Sequence, residues 1–245
     1  MRTIRCHVDQ PLAIGRRLDL PEDTSTHLVR VLRLAPGDRF ELFNGDGYDY
    51  AARLLSAAKR GAEAEVLSRE PVARESGLHI TLAQGLARGE KMDLVLQKAT
   101  ELGVAAFATV VSERTEVKLD GERAAKRMAH WQGVVAAACE QSGRAVLPAL
   151  AEPVALAEYA SRESATHRLA LDPSGELDLR GLTLKPGDTV ALVVGPEGGL
   201  SERDLATLRA AGFRGLRLGP RVLRTETAGL AAIAALQVLH GDLAG

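Results

Sequence analysis

Two stretches late in this 245-residue chain carry residues whose types and spacing suit ligand chemistry. They are Gly195-Pro196-Glu197-Gly198-Gly199, after the apolar run Leu192-Val193-Val194, and the segment from Leu218 and Gly219 through Leu223, Arg224, Thr225, Glu226 and Thr227 to Ala228. Glycine leaves main-chain groups unshielded, and proline stiffens the loop that presents them. Each stretch joins a strand-length apolar run to a helix-period one, so each reads as a strand-to-helix turn where a parallel sheet offers bare N–H groups to a ligand. About twenty residues separate them, the length of one helix and one strand, which predicts that they lie side by side. Ser201 and Asp204 stand at capping-box spacing just beyond the first turn. Arg224 offers a cation and Glu197 a carboxylate. Neither G-x-G-x-x-G nor G-x-x-x-x-G-K-[ST] occurs, so the site is not a Rossmann or P-loop site, and it is built from the last strands of its domain.

The elements that position these turns follow from periodicity. Before residue 72, short alternating runs such as Arg39 to Phe43 and Tyr48 to Leu54 are separated by the turn signals Pro36-Gly37-Asp38 and Asn44-Gly45-Asp46-Gly47, a hairpin-rich β pattern interrupted by one helix over Glu22 to Leu34. Val72 to Gly77 reads as a linker. From Leu78 onward, apolar runs alternate with helix-period stretches, the sign of an α/β domain with a mainly parallel sheet. Strands are predicted at 78–84, 104–111, 167–171, 189–194 and 214–218, and helices near 90–102, 121–142, 153–162, 202–211 and 226–239. The helix from Thr227 to Leu239 is apolar on nearly every face, which predicts burial all round. The domains expected are 1–72 and 73–245.

Thirty-one basic against 32 acidic residues gives no overall basic signal, so nucleic-acid contact has to rest on local clusters. Arg2, Arg5, Arg16, Arg17, Arg30 and Arg33 form one such cluster, readable either as a phosphate-binding face or as scattered surface charge. Cys6 and Cys139 are too few for a disulfide framework, and no His or Cys pair has zinc spacing, so no metal is expected. Neither a secretory h-region nor a membrane-length apolar run occurs, and a cytoplasmic location is expected.

Several motifs in order, Lys91-Met92-Asp93 with Leu96 to Val104, Ser112 to Thr115, Glu140 to Arg144, Gly195 to Gly199 and Leu218 to Ala228, resemble the 16S ribosomal RNA uracil-N3 methyltransferases of the knotted SPOUT class. The likeness spans nearly the whole chain. It departs from the pattern at Leu200, where an aromatic is frequent, at Asp204, where Glu is usual, and at Pro220. The resemblance implies a trefoil-knotted, mainly parallel sheet flanked by helices, preceded by a PUA-like β-barrel that helps seat RNA, and a homodimer packed on the last helix. It implies S-adenosylmethionine as cofactor and, as substrate, N3 of one uridine of 16S rRNA in the small ribosomal subunit, position 1498 in the family. A pocket without turnover in an RNA-binding or assembly protein, or methylation of another RNA, are the alternatives. Carried over motif by motif, the cofactor set is Leu171, Val194, Gly195, Pro196, Glu197, Gly198, Gly199, Leu218, Gly219, Leu223, Arg224, Thr225, Thr227 and Ala228.

Methylating a uracil N3 requires its imide proton to leave, which puts negative charge on O2 and O4 that a fixed cation stabilises. Arg224 either plays that part or pins its loop through a salt bridge to Glu226 or Glu197. Glu197 either accepts the N3 proton or bonds main-chain N–H groups and fixes the loop. Gln141, Ser142 and Arg144 either face the uridine, with Arg144 on the RNA, or close the long helix before Gly143.

Overall fold

The structure, a computed structural model, describes residues 4–58, 61–117 and 121–244. The chain divides into two compact units, Met1–Glu75 with Cys139–Leu147, and Ser76–Ala138 with Pro148–Gly245.

The first unit is built on strands β1 (Arg5–His7), β2 (Arg17–Asp19), β3 (Arg39–Phe43), β4 (Tyr48–Ala58) and β5 (Gly61–Pro71), in the order β1-β3-β4-β5-β2. β1 pairs parallel with β3, and the other ladders are antiparallel. The period-two pattern works as the sequence predicts: Phe40, Leu42, Tyr50, Ala52, Leu54, Ala62, Ala64 and Val66 all bury on one core. The β3–β4 turn is closed by side chains that copy main-chain acceptors. Asn44 Oδ1 accepts from Asp46 N at 3.3 Å, and Asp46 Oδ1 accepts from Tyr48 N at 3.2 Å. The expected barrel is seen here as a five-stranded sheet whose end strands share no ladder among the described residues. Helix α1 (Glu22–Thr26) widens into a π-helical turn, His27–Val31, and ends before the predicted Leu34.

The second unit holds strands β6 (His79–Gly85), β7 (Ala106–Val111), β8 (Ala149–Ala155), β9 (His167–Leu171), β10 (Thr189–Val194) and β11 (Arg214–Leu216). They form a sheet of order β11-β9-β10-β6-β7-β8 in which every ladder is parallel. Helices α2 (Glu90–Glu101), α3 (Gly121–Ser142) and α6 (Thr225–His240) supply the apolar residues on one face, and α4 (Leu156–Arg162) and α5 (Glu202–Ala210) those on the other. Strand β10 shows why: Val190, Leu192 and Val194 enter one core, Ala191 and Val193 the other. A strand buried on both sides reads as a continuous apolar run.

Two expectations need correction. Residues 153–155 were expected in a helix but finish β8, an edge strand; its Ala-rich run with Pro153 has poor strand propensity, and Pro is tolerated there because the β7–β8 register shifts nearby. The last helix is buried along one stripe, Gly229, Ala232, Ile233, Leu236 and Gln237, while Val238 and Leu239 remain 51% and 53% exposed. Its buried polar residue, Gln237, is satisfied, donating to Leu102 O at 3.1 Å and accepting from Ser76 Oγ at 2.7 Å.

Candidate active site

The strand order reverses between β6 and β10. From there β7 and β8 extend one way and β9 and β11 the other, and ligands of open parallel sheets bind at the carboxyl ends of the strands at such a point. A cavity of about 420 Å³ opens at the carboxyl ends of β9, β10 and β11, beside the start of α6. The two glycine-bearing turns do lie together: Leu171, Val194, all of Gly195 to Gly199, Leu218, Gly219, Leu223, Arg224, Thr225 and Ala228 line this one cavity. Thr227 does not; it is exposed on the first turn of α6, its N–H bonded to Arg224 O at 2.9 Å.

The turns hold their shape through close main-chain approach. A Cβ on Gly85, at the end of β6, would sit 2.6 Å from Pro196 N, so only glycine lets the β6 end and the Gly195 turn touch. Gly199 has φ +70°, and its N–H closes the turn onto Pro196 O at 2.8 Å. Ser201 and Asp204 form the capping box: Ser201 Oγ accepts from Asp204 N at 3.1 Å and Asp204 Oδ2 from Ser201 N at 2.9 Å. On the second turn, no hydrogen bond to the main chain of Leu218, Gly219 or Leu223 is found among the described residues. All three residues line the cavity, and Leu171, Val194, Leu218 and Leu223 give it apolar walls.

Residues outside the predicted set complete the site. Gln84, wholly buried at the end of β6, donates from Nε2 to Thr225 Oγ1 at 2.9 Å, and Thr225 Oγ1 donates to Gly195 O at 2.6 Å. Arg114, from the Ser112–Thr115 loop, lines the cavity and donates to Gly198 O at 2.9 Å, while Glu113 N donates to Asp204 Oδ1 at 3.3 Å. Asp172, 6% exposed at the end of β9, also lines the cavity and faces Arg209 at 3.5 Å. The signals existed: a polar Gln interrupts the apolar run from Ile80, and Asp172 follows an apolar strand at the carboxyl end where ligands bind.

Glu197 is committed to the loop. Its Oε1 accepts from Arg88 N at 3.0 Å and from Lys91 Nζ at 3.2 Å. Burial pushes its carboxyl pKa up, but the bonds from Arg88 N–H, from its own main chain and from Lys91 outweigh that and hold it below the ordinary carboxylate value. An ionised carboxylate already holding two donors suits anchoring better than proton uptake. Arg224 lines the cavity as the N-cap residue of α6, exposed, and no ion pair to Glu197 or Glu226 is found among the described residues. The salt-bridge reading of Arg224 therefore loses both of its partners.

The arginines expected on RNA divide. Arg16, Arg17, Arg30 and Arg33 are exposed in the first unit, Arg33 with a left-handed φ of 60°. Arg2 lies outside the described residues. Arg5 and Arg144 are corrections: Arg144 is buried, Arg5 is part-buried with a side chain 8% exposed, and both are engaged within the first unit. Arg5 pairs with Asp49 at 2.6 Å and donates to Cys139 O at 2.9 Å and Arg144 O at 3.2 Å. Arg144, 4% exposed, is paired with Glu75. A buried guanidinium satisfied by carboxylate and carbonyls holds the Cys139–Leu147 segment and is not presented to a partner.

Fold and site together define an α/β protein with a cofactor-sized pocket at the carboxyl ends of a parallel sheet. The RNA methyltransferase domain family matches residues 74–237, and the RNA methyltransferase PUA domain family matches residues 20–67. Ribosomal RNA small subunit methyltransferase E of Buchnera aphidicola (Schizaphis graminum) is 32% identical over 244 residues, covering 99% of this chain and 98% of that protein. A crystal structure of the Neisseria gonorrhoeae ribosomal RNA small subunit methyltransferase E bound to S-adenosylmethionine has 42% identity and a TM-score of 0.93, covering 98% of this chain and 99% of that one. A Legionella pneumophila methyltransferase with bound S-adenosylmethionine has 39% identity and a TM-score of 0.95, covering 99% and 100%. The chain belongs to the ribosomal RNA small subunit methyltransferase E family of RNA methyltransferases.

Proposed function

We propose that this protein transfers the methyl group of S-adenosylmethionine to N3 of one uridine in the 16S rRNA of the small ribosomal subunit, working in the cytoplasm as a homodimer. The observation that carries the reading is the meeting of two sequence-distant glycine turns around one cavity. Its volume of about 420 Å³ falls in the roughly 300–1,000 Å³ range of cofactor pockets. Apolar walls from Leu171, Val194, Leu218 and Leu223 suit an adenine ring, and the main chain at Leu218, Gly219 and Leu223, without hydrogen bonds among the described residues, suits its polar edge and the ribose. The residues present therefore fit the cofactor that relatives of this chain bind.

When bound, S-adenosylmethionine supplies an electrophilic methyl group on a sulfonium. The protein's part is positioning and charge. Arg224, without a carboxylate partner among the described residues, places its guanidinium where the charge on uracil O2 or O4 develops as the N3 proton leaves. Glu197 holds the Gly195 turn against the Arg88–Lys91 segment, and the proton passes to water. The first unit seats the RNA backbone through Arg16, Arg17, Arg30 and Arg33, contacts that weaken steeply with salt. A second copy covers the apolar outer side of α6 at Val238 and Leu239. Among the described residues no helix is long and apolar enough to cross a membrane.

The test is transfer of tritium from labelled cofactor into small subunits purified from cells lacking the protein, followed by mass mapping of the labelled nucleotide. N3-methyluridine at a single 16S position is expected. Label in another RNA or at another atom would redirect the substrate assignment, and no label at all would leave a binding protein.

A further inference from the structure

We infer that Gln84 and Thr225 form a buried positioning relay that sets the gap between the two cofactor turns, an inference that rests on the cofactor reading above. Gln84 sits at the end of β6, in neither glycine turn, and is 0% exposed. A primary amide in a doubly buried strand is costly unless its groups are bonded. Its Nε2 reaches three acceptors from three parts of the chain: Gly85 O at 2.9 Å, Thr225 Oγ1 at 2.9 Å and Gly195 O at 3.5 Å. Because a carbonyl can only accept, Thr225 has to donate its hydroxyl proton to Gly195 O, at 2.6 Å, which leaves its lone pairs for Gln84. The polarity of the whole relay is thereby determined, and the amide cannot be reversed without setting its oxygen against two carbonyls.

The relay joins elements distant in sequence. Thr225 is the first residue of α6 and directly follows Arg224, while Gly195 opens the Gly195–Gly199 turn. Gly85 has no room for a side chain, since its Cβ would lie 2.6 Å from Pro196 N, while a Cβ on Gly229 of α6 would pack in ordinary contact, 3.4 Å from Val194 and 3.8 Å from Gln84 Oε1. That Oε1 is the one atom of the relay left buried without a partner. A leucine would fill the same strand position without orphaning an acceptor, so core packing alone does not account for an amide there. The amide ties the end of β6 to Gly195 and Thr225, one lining residue from each turn, and so to the start of the helix that follows Arg224.

Thr225→Val keeps the shape of the side chain and deletes the hydroxyl; Thr225→Ser keeps the hydroxyl and deletes a methyl. Calorimetric titration of the full-length protein with S-adenosylmethionine, beside KM values for cofactor and RNA, separates positioning from packing. Thr225→Val is expected to weaken cofactor binding by about tenfold or more, as loss of a relay hydrogen bond implies, with the KM for RNA unchanged, while Thr225→Ser stays within about threefold. Gln84→Leu is expected to match Thr225→Val. Wild-type affinity in Thr225→Val, or equal damage from Ser and Val, would overturn the relay. A wild-type protein that binds no S-adenosylmethionine at all would instead strike the cofactor reading, and the relay with it.

Discussion

At the scale of single residues, the site sets a bonded carboxylate beside an arginine with no ion pair among the described residues. Arg224 and Glu197 both line the cavity, yet Glu197 is bonded to Arg88 N and Lys91 Nζ while Arg224 has no ion pair among the described residues. Arg224→Ala is therefore expected to bind cofactor within about threefold of wild type and to lose about a hundredfold or more in kcat, the usual loss for one donor to developing negative charge. Single-turnover methyl transfer beside calorimetry measures both. Glu197 belongs to stability. Its folded pKa lies below the unfolded value near 4.5, so its stabilisation is fully present above that pH and is lost as pH falls through the lower folded value. Thermal melts of wild type and Glu197→Gln are expected to differ at neutral pH and to converge at acid pH.

At the scale of elements, local rules account for most of what forms. The Ser201–Asp204 capping box starts α5 where its spacing predicts, and Asp204 also accepts from Glu113 N, so one carboxylate closes a helix and anchors the Ser112–Thr115 loop. Ser201→Ala is expected to cost about 1 kcal/mol in chemical denaturation, the typical value of an N-cap, without moving cofactor affinity beyond about twofold. The end of the segment before α4 was misread because alanine is the best helix former, and an edge strand next to a register shift asks little of β propensity. The Ser112–Thr115 and Lys91 motifs were legible as motifs but not as roles. Arg114 bonds Gly198 O and Lys91 bonds Glu197, and both partners lie more than eighty residues away.

At the scale of the whole molecule, α6 joins the proposed cofactor pocket to the proposed partner copy. Its first residue enters the Gln84 relay, its buried stripe packs beneath the sheet, and its outer side leaves Val238 and Leu239 exposed. Leu239→Glu is expected to shift the protein from dimer to monomer in sedimentation velocity while the melt stays cooperative; an unchanged dimer would place the interface elsewhere. The strand runs, the helix periods, the two glycine turns and their adjacency were determined by the sequence itself, because each rests on spacing within one segment or across one helix and strand. The burial of Arg144, the pairing of Arg5, the half-exposed last helix and the meeting of Gln84 with Thr225 were decided only by the tertiary structure. A charge or an amide looks alike in sequence whether water or a carbonyl from a distant segment satisfies it, and only the folded chain selects which.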